Sequence, residues 1–159
     1  NLQPHVRIEH RPTSAGPTIV DGMANAAFFL GIVEVLAGQF DGMQRHYPFN
    51  QLKRNFYKAA RKSYDAHYFW KDNQAVDISE LILETLLPMA EDGLSRLGVS
   101  SSTSKKYLSI IEGRAKNRVN GATWQLGYIN RHGKDFVKLS QAYLKLQEEG
   151  GPVHTWPNL

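Results

Sequence analysis

The chain has 159 residues, 42% of them hydrophobic, which is enough for one domain with a single core and too few for two. Its 19 Lys and Arg against 15 Asp and Glu give a net charge of +4, a mildly basic balance that suits an anionic ligand and does not require nucleic acid. The absence of cysteine excludes disulfides, thiolate metal sites and thiol nucleophiles.

The longest apolar stretch, residues 23–36, is interrupted by Asn25, Gly31 and Glu34 and is shorter than the roughly 20 apolar residues that a membrane span needs. We therefore expect no membrane partner and a cytoplasmic location. The chain begins without Met and without a basic-then-apolar signal pattern. We interpret this start as a cut from a longer protein.

Residues 5–11 alternate in character, with Val6 and Ile8 on one side and ionisable residues on the other. This period of two predicts a half-buried β-strand. A strand needs sheet partners, and the rest of the chain supplies few strand-like segments. The pattern therefore indicates that the chain is the C-terminal part of a larger fold.

The remaining sequence predicts five or six helices in one domain spanning residues 1–159. The expected helices run from Thr18 or Asp21 to Gln39, from Asn50 to residue 62, from Asp77 to Gly98, from residues 101–104 to Asn120, from Ala122 to Gly133 and from Lys134 to Glu149. Pro88 predicts a kink, the aromatic residues of 63–74 predict a packed loop, and residues 152–159 predict an extended tail. The expected core comprises Leu30, Leu81, Leu86, Leu108, Ile111 and Leu139.

Three segments, in chain order, resemble the second half of the glutamate-cysteine ligases and related carboxylate-amine ligases. Residues 6–12, followed by residues 17–21, are similar to the family's strand with its Glu and Arg and to the Pro-Thr helix start after it. Residues 54–61 resemble a Glu-Asn-x-Trp-Arg-Ala-Ala-Arg segment, with Arg54, Tyr57 and Lys58 departing from it. Residues 120–125 resemble the family's Gly-Ala-x-x-Gln turn before a late helix.

This resemblance implies a mainly α chain with one opening β-strand, the helical C-terminal part of a glutamine-synthetase-like fold. It implies an ATP-dependent ligase that uses Mg²⁺, forms an acyl phosphate and then an amide bond, with glutathione biosynthesis as the family's setting. The partners are then a small-molecule acid and amine and the remainder of the full-length chain. The acid and amine stay open, and we expect the isolated chain to be inactive.

Glu9 and Arg11 lie two residues apart on the charged side of the predicted strand, with His5 and Arg7 as weaker candidates. With the resemblance, Glu9 is a candidate metal and cofactor ligand, because Mg²⁺ prefers oxygen ligands. Arg11 is a candidate cofactor-binding and catalytic residue, because a guanidinium clamps phosphate in bidentate fashion. The alternative is a solvated edge strand of alternating charge.

In the basic second helix, Asn55 is the candidate cofactor-binding residue and Arg61 the candidate catalytic residue. The two are six residues apart, so on a regular helix they would lie on different faces. The alternative is a basic amphipathic face with no ligand. Asn120 and Gln125 could donate to a ligand or cap helix ends, and we expect the cap, which is the more common role of an Asn before Gly. No histidine or carboxylate spacing predicts a structural metal site.

Two other functions stay open. One is a basic helical module that binds nucleic acid, which the small net charge makes the weaker interpretation. Its surface would comprise Lys53, Arg54, Lys58, Arg61 and Lys62 with Tyr57, Tyr64 and Trp70. The other is a structural or oligomerisation domain, and a homo-oligomer is compatible with an unpaired opening strand.

Overall fold

A computed structural model describes residues 16–39 and 43–157. The predicted opening strand, with Glu9 and Arg11, lies outside these residues. The prediction of a mainly α fold is confirmed within them. The helices are α1 Ile19–Ala37, α2 Met43–His46, α3 Phe49–Lys62, α4 Ile78–Leu81, α5 Leu87–Arg96, α6 Ser101–Asn117, α7 Gly121–His132 and α8 Phe136–Glu149, and the strands are β1 His67–Phe69 and β2 Ala75–Asp77.

Helices α1, α5 and α6 pack together and form the main core. Small residues let α1 and α5 approach closely, because a Cβ added at Gly31 would overlap the backbone of Ala90, and one added at Gly93 would overlap Gly31. Ala24 and Ala90 are fully buried at these contacts, and Ile110 and Ile111 of α6 lie beside them. Of the predicted core, Leu30 is wrong: it lies on the other side of α1 and is 52% exposed.

Helix α1 begins at Thr18, whose hydroxyl accepts a hydrogen bond from the Asp21 backbone N–H. Its 19 residues have a mean hydropathy of 1.7, so by length and composition it is apolar enough to cross a membrane, which departs from the expectation from the sequence. A core helix of a soluble protein and a signal sequence pass the same test. One side packs on α5 and α6. The other side carries an exposed stripe at helical spacing, comprising Ile19, Met23, Ala26, Leu30, Val33 and Ala37.

Helices α4 and α5 are joined by a π turn, Ile82–Leu86, in which the Leu87 N–H bonds the Ile82 carbonyl five residues back. Asp77 caps the start of α4 through the N–H groups of Ser79 and Glu80, as the sequence predicts. Pro88 is the second residue of α5. The irregularity expected at Pro88 therefore takes the form of a widened turn just before it.

Helices α7 and α8 enclose a second core with the end of the chain. Asn120 caps α7 in a reciprocal capping box with Thr123, and Gly133 ends the helix as predicted. Trp124 of α7 packs edge-on against Trp156, with ring centroids 5.3 Å apart. The sequence predicted an extended tail, whereas the structure has a 3₁₀ turn at Val153–Thr155 that buries Val153 and Trp156.

Residues 43–77 form an arm that comprises α2, α3 and an antiparallel hairpin of β1 and β2, in which Tyr68 pairs with Val76. The hairpin and a 3₁₀ turn at Ser63–Asp65 replace the packed loop predicted for residues 63–74. His46 of α2 bonds Asp72 of the hairpin loop at 2.7 Å. Helix α3 packs on β1 and on the 3₁₀ turn that follows it, so it projects from the helical core.

Candidate anion-binding groove

Helix α3 lies on β1 through polar side chains. The Asn55 amide accepts from the Phe69 N–H at 3.0 Å and donates to the Phe69 carbonyl at 2.5 Å, as a neighbouring strand would. Gln51 donates to the Trp70 carbonyl at 3.3 Å, and Lys58 donates to the His67 carbonyl at 3.2 Å. These bonds satisfy backbone groups of β1 that β2 does not reach, so the helix side chains complete the two-stranded sheet.

Arg118 holds the base of the arm on the helical core. It ends α6 in a left-handed conformation, with φ at 52°, and donates to the Tyr64 carbonyl at 2.8 Å and to Asp77 at 2.5 Å. The hydrogen bond from Arg118 holds the pKa of the Asp77 carboxyl below its usual value. Asn120 donates to the Ser63 hydroxyl at 2.7 Å. The end of α3 is therefore fixed to the junction of α6 and α7.

A groove of about 700 Å³ opens where α3 turns into the hairpin. Its walls comprise Arg54, Tyr57, Lys58, Arg61, Lys62, Asp65, Ala66 and His67. Four of these residues carry permanent positive charge, and Asp65 alone is acidic. A concave surface lined by one sign of charge focuses the electrostatic field and attracts ions of the opposite sign.

The groove cations differ in how they are held. Lys58 bonds the His67 carbonyl and lies over the Phe69 ring, 4.5 Å from its centroid. Arg54, Arg61 and Lys62 are exposed and make no ion pair with any residue of 16–39 or 43–157. Three cations on one surface repel one another, Asp65 is the one carboxylate beside them, and an anion placed among them would relieve that repulsion.

Among the predicted site residues, Arg61 lines the groove, whereas Asn55 is engaged with β1. Helix α3 is regular throughout, so the two side chains do point from different faces and do not meet at one ligand. Glu9 and Arg11 lie outside the described residues. The sequence indicates that Arg54, Lys58 and Lys62 share a basic surface, but it does not identify His67 as their neighbour, because that contact depends on the turn at Ser63–Asp65.

A second polar cluster lies between α1, α6 and the chain's end. Asp21 is fully buried, and its Oδ2 accepts from the Thr18 hydroxyl at 2.8 Å and from the Val153 N–H at 3.1 Å. Burial lowers the pKa of His154, against the opposing effect of Asp21. Arg114 donates to Asn25 at 2.7 Å. In the described part of the chain, Asp21 Oδ1, His154 Nδ1 and Arg114 Nε have no hydrogen-bond partner.

Neither cluster has the ligands of a metal site. Residues 16–39 and 43–157 contain no group of three His, Cys, Asp or Glu side chains arranged to hold an ion. The groove offers Asp65 and His67 with several cations, and the surrounding positive charge opposes a divalent cation. The positive charge of the groove therefore favours an anion over a cation.

Comparison with known protein families, with curated proteins and with solved structures gives no significant match to this chain. The likeness to carboxylate-amine ligases consequently stands on the three sequence segments alone.

Proposed function

We propose that this chain is the helical C-terminal part of an ATP-dependent carboxylate-amine ligase and that its groove binds an anionic group of the nucleotide or the acid. One observation carries the proposal: Arg54, Arg61 and Lys62 converge on a single groove without ion-pair partners in the described residues. Arg61 matches the last Arg of the family-like segment 54–61, whereas Arg54 stands where that pattern has Glu.

The chemistry of such a ligase suits this charge. ATP supplies the phosphoryl group that activates a carboxylate as an acyl phosphate, and negative charge accumulates as that group is transferred. Guanidinium groups bind phosphate or carboxylate oxygens in bidentate fashion, and Lys62 adds a point charge. Tyr57, 52% exposed at the groove wall, offers an aromatic face to a ligand. In this proposal Arg61 contacts the reacting group and Arg54 helps to orient it.

Magnesium needs other residues. Mg²⁺ takes oxygen ligands and usually more than one carboxylate or phosphate, and Asp65 is the sole carboxylate among the groove's lining residues. Under the proposal, Mg²⁺ would be held by Glu9 together with carboxylates of the remaining enzyme and would neutralise phosphate charge there.

A nucleic-acid surface is less well supported. It required Tyr57, Tyr64 and Trp70 to offer faces for base stacking. Tyr64 is partly buried beneath Arg118, and Trp70 packs against Tyr47 with ring centroids 5.1 Å apart. Tyr57 remains as the exposed aromatic residue of that set. Binding of an oligonucleotide with a steep salt dependence would nevertheless favour this alternative.

The first test measures binding by the 159-residue chain. Isothermal titration with ATP and with inorganic triphosphate is expected to give weak binding that the double variant Arg54→Ala/Arg61→Ala abolishes. Lys145→Ala on α8 is the matched control, because it removes one exposed cation that makes no ion pair with the described residues. Equal binding by the double variant and the control would refute the groove assignment.

The second test concerns the reaction itself. In the full-length protein, Glu9→Gln is expected to weaken the Mg²⁺-ATP dependence, and Arg11→Ala and Arg61→Ala are expected to lower the rate of amine-dependent ADP release. The 159-residue chain alone is expected to release no ADP, because the carboxylates that would complete the Mg²⁺ site belong to the remaining enzyme. Catalysis is sensitive to such gaps, since displacing a catalytic group by about 1 Å costs on the order of a hundredfold in rate. Unchanged kinetics in all three full-length variants would remove the site.

A further inference from the structure

Helix α3 presents its apolar side to solvent. The side that contacts β1 carries Gln51, Asn55 and Lys58, as the hydrogen bonds to residues 67–70 require. The opposite side carries Phe49, Leu52 and Phe56, which are 76%, 45% and 57% exposed. A helix that is held by its polar face and exposes large apolar residues at i, i+3 and i+7 has an unfilled contact surface.

The charge around this surface is one-sided. Residues 43–62 contain six of the 19 Lys and Arg and none of the 15 Asp and Glu, which leaves 13 basic against 15 acidic residues in the rest of the chain. The excess positive charge of the protein therefore resides in this segment. Lys53 follows Phe49 by four positions and precedes Phe56 by three, so it adjoins both on the helix surface.

We propose that α3 is an interfacial anchor that lies on an anionic lipid surface and inserts Phe49, Leu52 and Phe56. Helices that lie in the plane of a membrane interface separate polar from apolar faces, with Lys and Arg on the polar face and Phe and Leu on the other. Helix α3 shows this division, with a majority of polar residues and with Lys53 bordering its apolar side. The hairpin holds the polar side of α3, so the apolar side of the helix already faces solvent in the absence of lipid. This proposal does not depend on the ligase assignment, and it departs from the expectation of no membrane partner, which was based on the length of the apolar stretch alone.

The same features disfavour two other occupants. Pairing α3 with α3 of a second copy would bring two segments of six positive charges together without an acidic residue between them. A nucleic-acid strand would use the cations but leave the three apolar side chains in water. An anionic lipid surface can contact the apolar side chains and the cations at the same time. The helix is about 10 Å across, so its cations stay within about one Debye length of the headgroups while the apolar side chains are inserted.

The test measures co-sedimentation of the 159-residue chain with vesicles of phosphatidylcholine containing phosphatidylserine, beside vesicles of phosphatidylcholine alone. Binding is expected only to the anionic vesicles and is expected to weaken as salt is added. Phe56→Ser should weaken binding at least about tenfold, as expected for the loss of one inserted aromatic side chain. Lys53→Glu should weaken it about tenfold, because reversing a charge removes one attraction and adds one repulsion.

Leu30→Ser is the matched control. It removes a 52% exposed leucine from the apolar stripe of α1, and binding should stay within about twofold of the unmodified chain. Because Phe56 and Leu30 are both exposed, circular dichroism should show the fold retained in each variant. The proposal would be overturned if the chain did not bind anionic vesicles. It would also be overturned if Leu30→Ser abolished binding while Phe56→Ser kept it. A dimer in solution that Phe56→Ser dissociates would do so as well, by assigning the surface to a second copy.

Discussion

The backbone N–H of Val153 donates a hydrogen bond to Oδ2 of Asp21 at 3.1 Å, joining two residues that are 132 positions apart in the chain. The same oxygen accepts from the hydroxyl of Thr18, which begins α1. A single buried carboxylate thus joins the first turn of α1 to the tail that completes the second core.

Asp21→Ala should destabilise the protein by about 2 kcal/mol or more, because it leaves the buried Val153 N–H without an acceptor. Chemical denaturation monitored by tryptophan fluorescence measures this change, since Trp156 lies three residues from Val153. Asp135→Ala is the comparison, because Asp135 also caps a helix, α8, but at the exposed surface. A smaller loss in Asp21→Ala than in Asp135→Ala would contradict the role of the buried carboxylate.

The stability of the fold should fall as the pH drops below the ordinary histidine pKa of 6.5. Burial lowers the pKa of His154 in the folded protein, so below 6.5 the unfolded chain binds a proton that the folded chain resists. The contribution of His154 is therefore complete above 6.5 and is lost as the pH falls toward the lowered folded-state value. The positive charge of Arg114 also lowers the pKa of His154, whereas the negative charge of Asp21 raises it.

The measurement for His154 is the free energy of unfolding across the weakly acidic range in the unmodified chain, His154→Gln and His132→Gln. His132→Gln is the comparison, because it removes an exposed histidine from α7. His154→Gln should flatten the slope by up to one proton. An equal slope in His154→Gln and the unmodified chain would refute the assignment.

Gly31→Ala should cost about 1–3 kcal/mol of stability, because its Cβ would overlap the Ala90 backbone, which cannot move independently of α5. Gly38→Ala provides the contrast at the end of the same helix. Its added Cβ would meet the nearest atom at an ordinary 3.5 Å, and its φ of −71° suits any residue. Gly38→Ala should be neutral or stabilising by up to about 1 kcal/mol, and thermal unfolding of both variants tests the difference.

Asn55→Ala should loosen the arm, because two hydrogen bonds to Phe69 disappear at a cost of about 1–2 kcal/mol. Amide hydrogen exchange at Phe69 reports this directly. Asn50→Ala on the same helix removes an exposed amide with no hydrogen bond to the described residues and should leave exchange unchanged. Lost ATP affinity in Asn55→Ala with Phe69 protection intact would instead assign the amide to the ligand, as the sequence predicted.

Helix limits were predictable because caps act locally. Helices begin or end where the sequence predicts it at Thr18, Asp77, Asn120 and Gly133. The prediction that α3 begins at Asn50 was wrong, because this helix begins at Phe49, after Pro48, and has no side-chain cap. The outcome for Leu30 was not predictable from periodicity. Apolar spacing shows which residues share a side of α1, but the close approach at Gly31 decides which side is packed.

The groove was predictable in composition and not in shape. The cations of α3 can be read from the sequence. The contact of Asn55 with β1 depends on a hairpin whose strands are three residues long, which is too short for a hydrophobic alternation to predict them. The exposed apolar side of α3 reverses the usual expectation that apolar residues face the core. It arises because β1 offers unpaired backbone groups, and amide side chains satisfy these where apolar ones cannot.

The π turn at Ile82–Leu86 makes the segment from Ile78 to Arg96 tolerant of one change in length. A π turn accommodates one residue more than an α turn, so removing one residue there would restore regular helical bonding and preserve the Pro88 junction. Because the π turn already holds the extra residue within one full rotation, the deletion would leave α4 in nearly the same orientation against α5. Leu81, now 6% exposed, would then stay in the core, so a single deletion within the turn would be expected to preserve the fold.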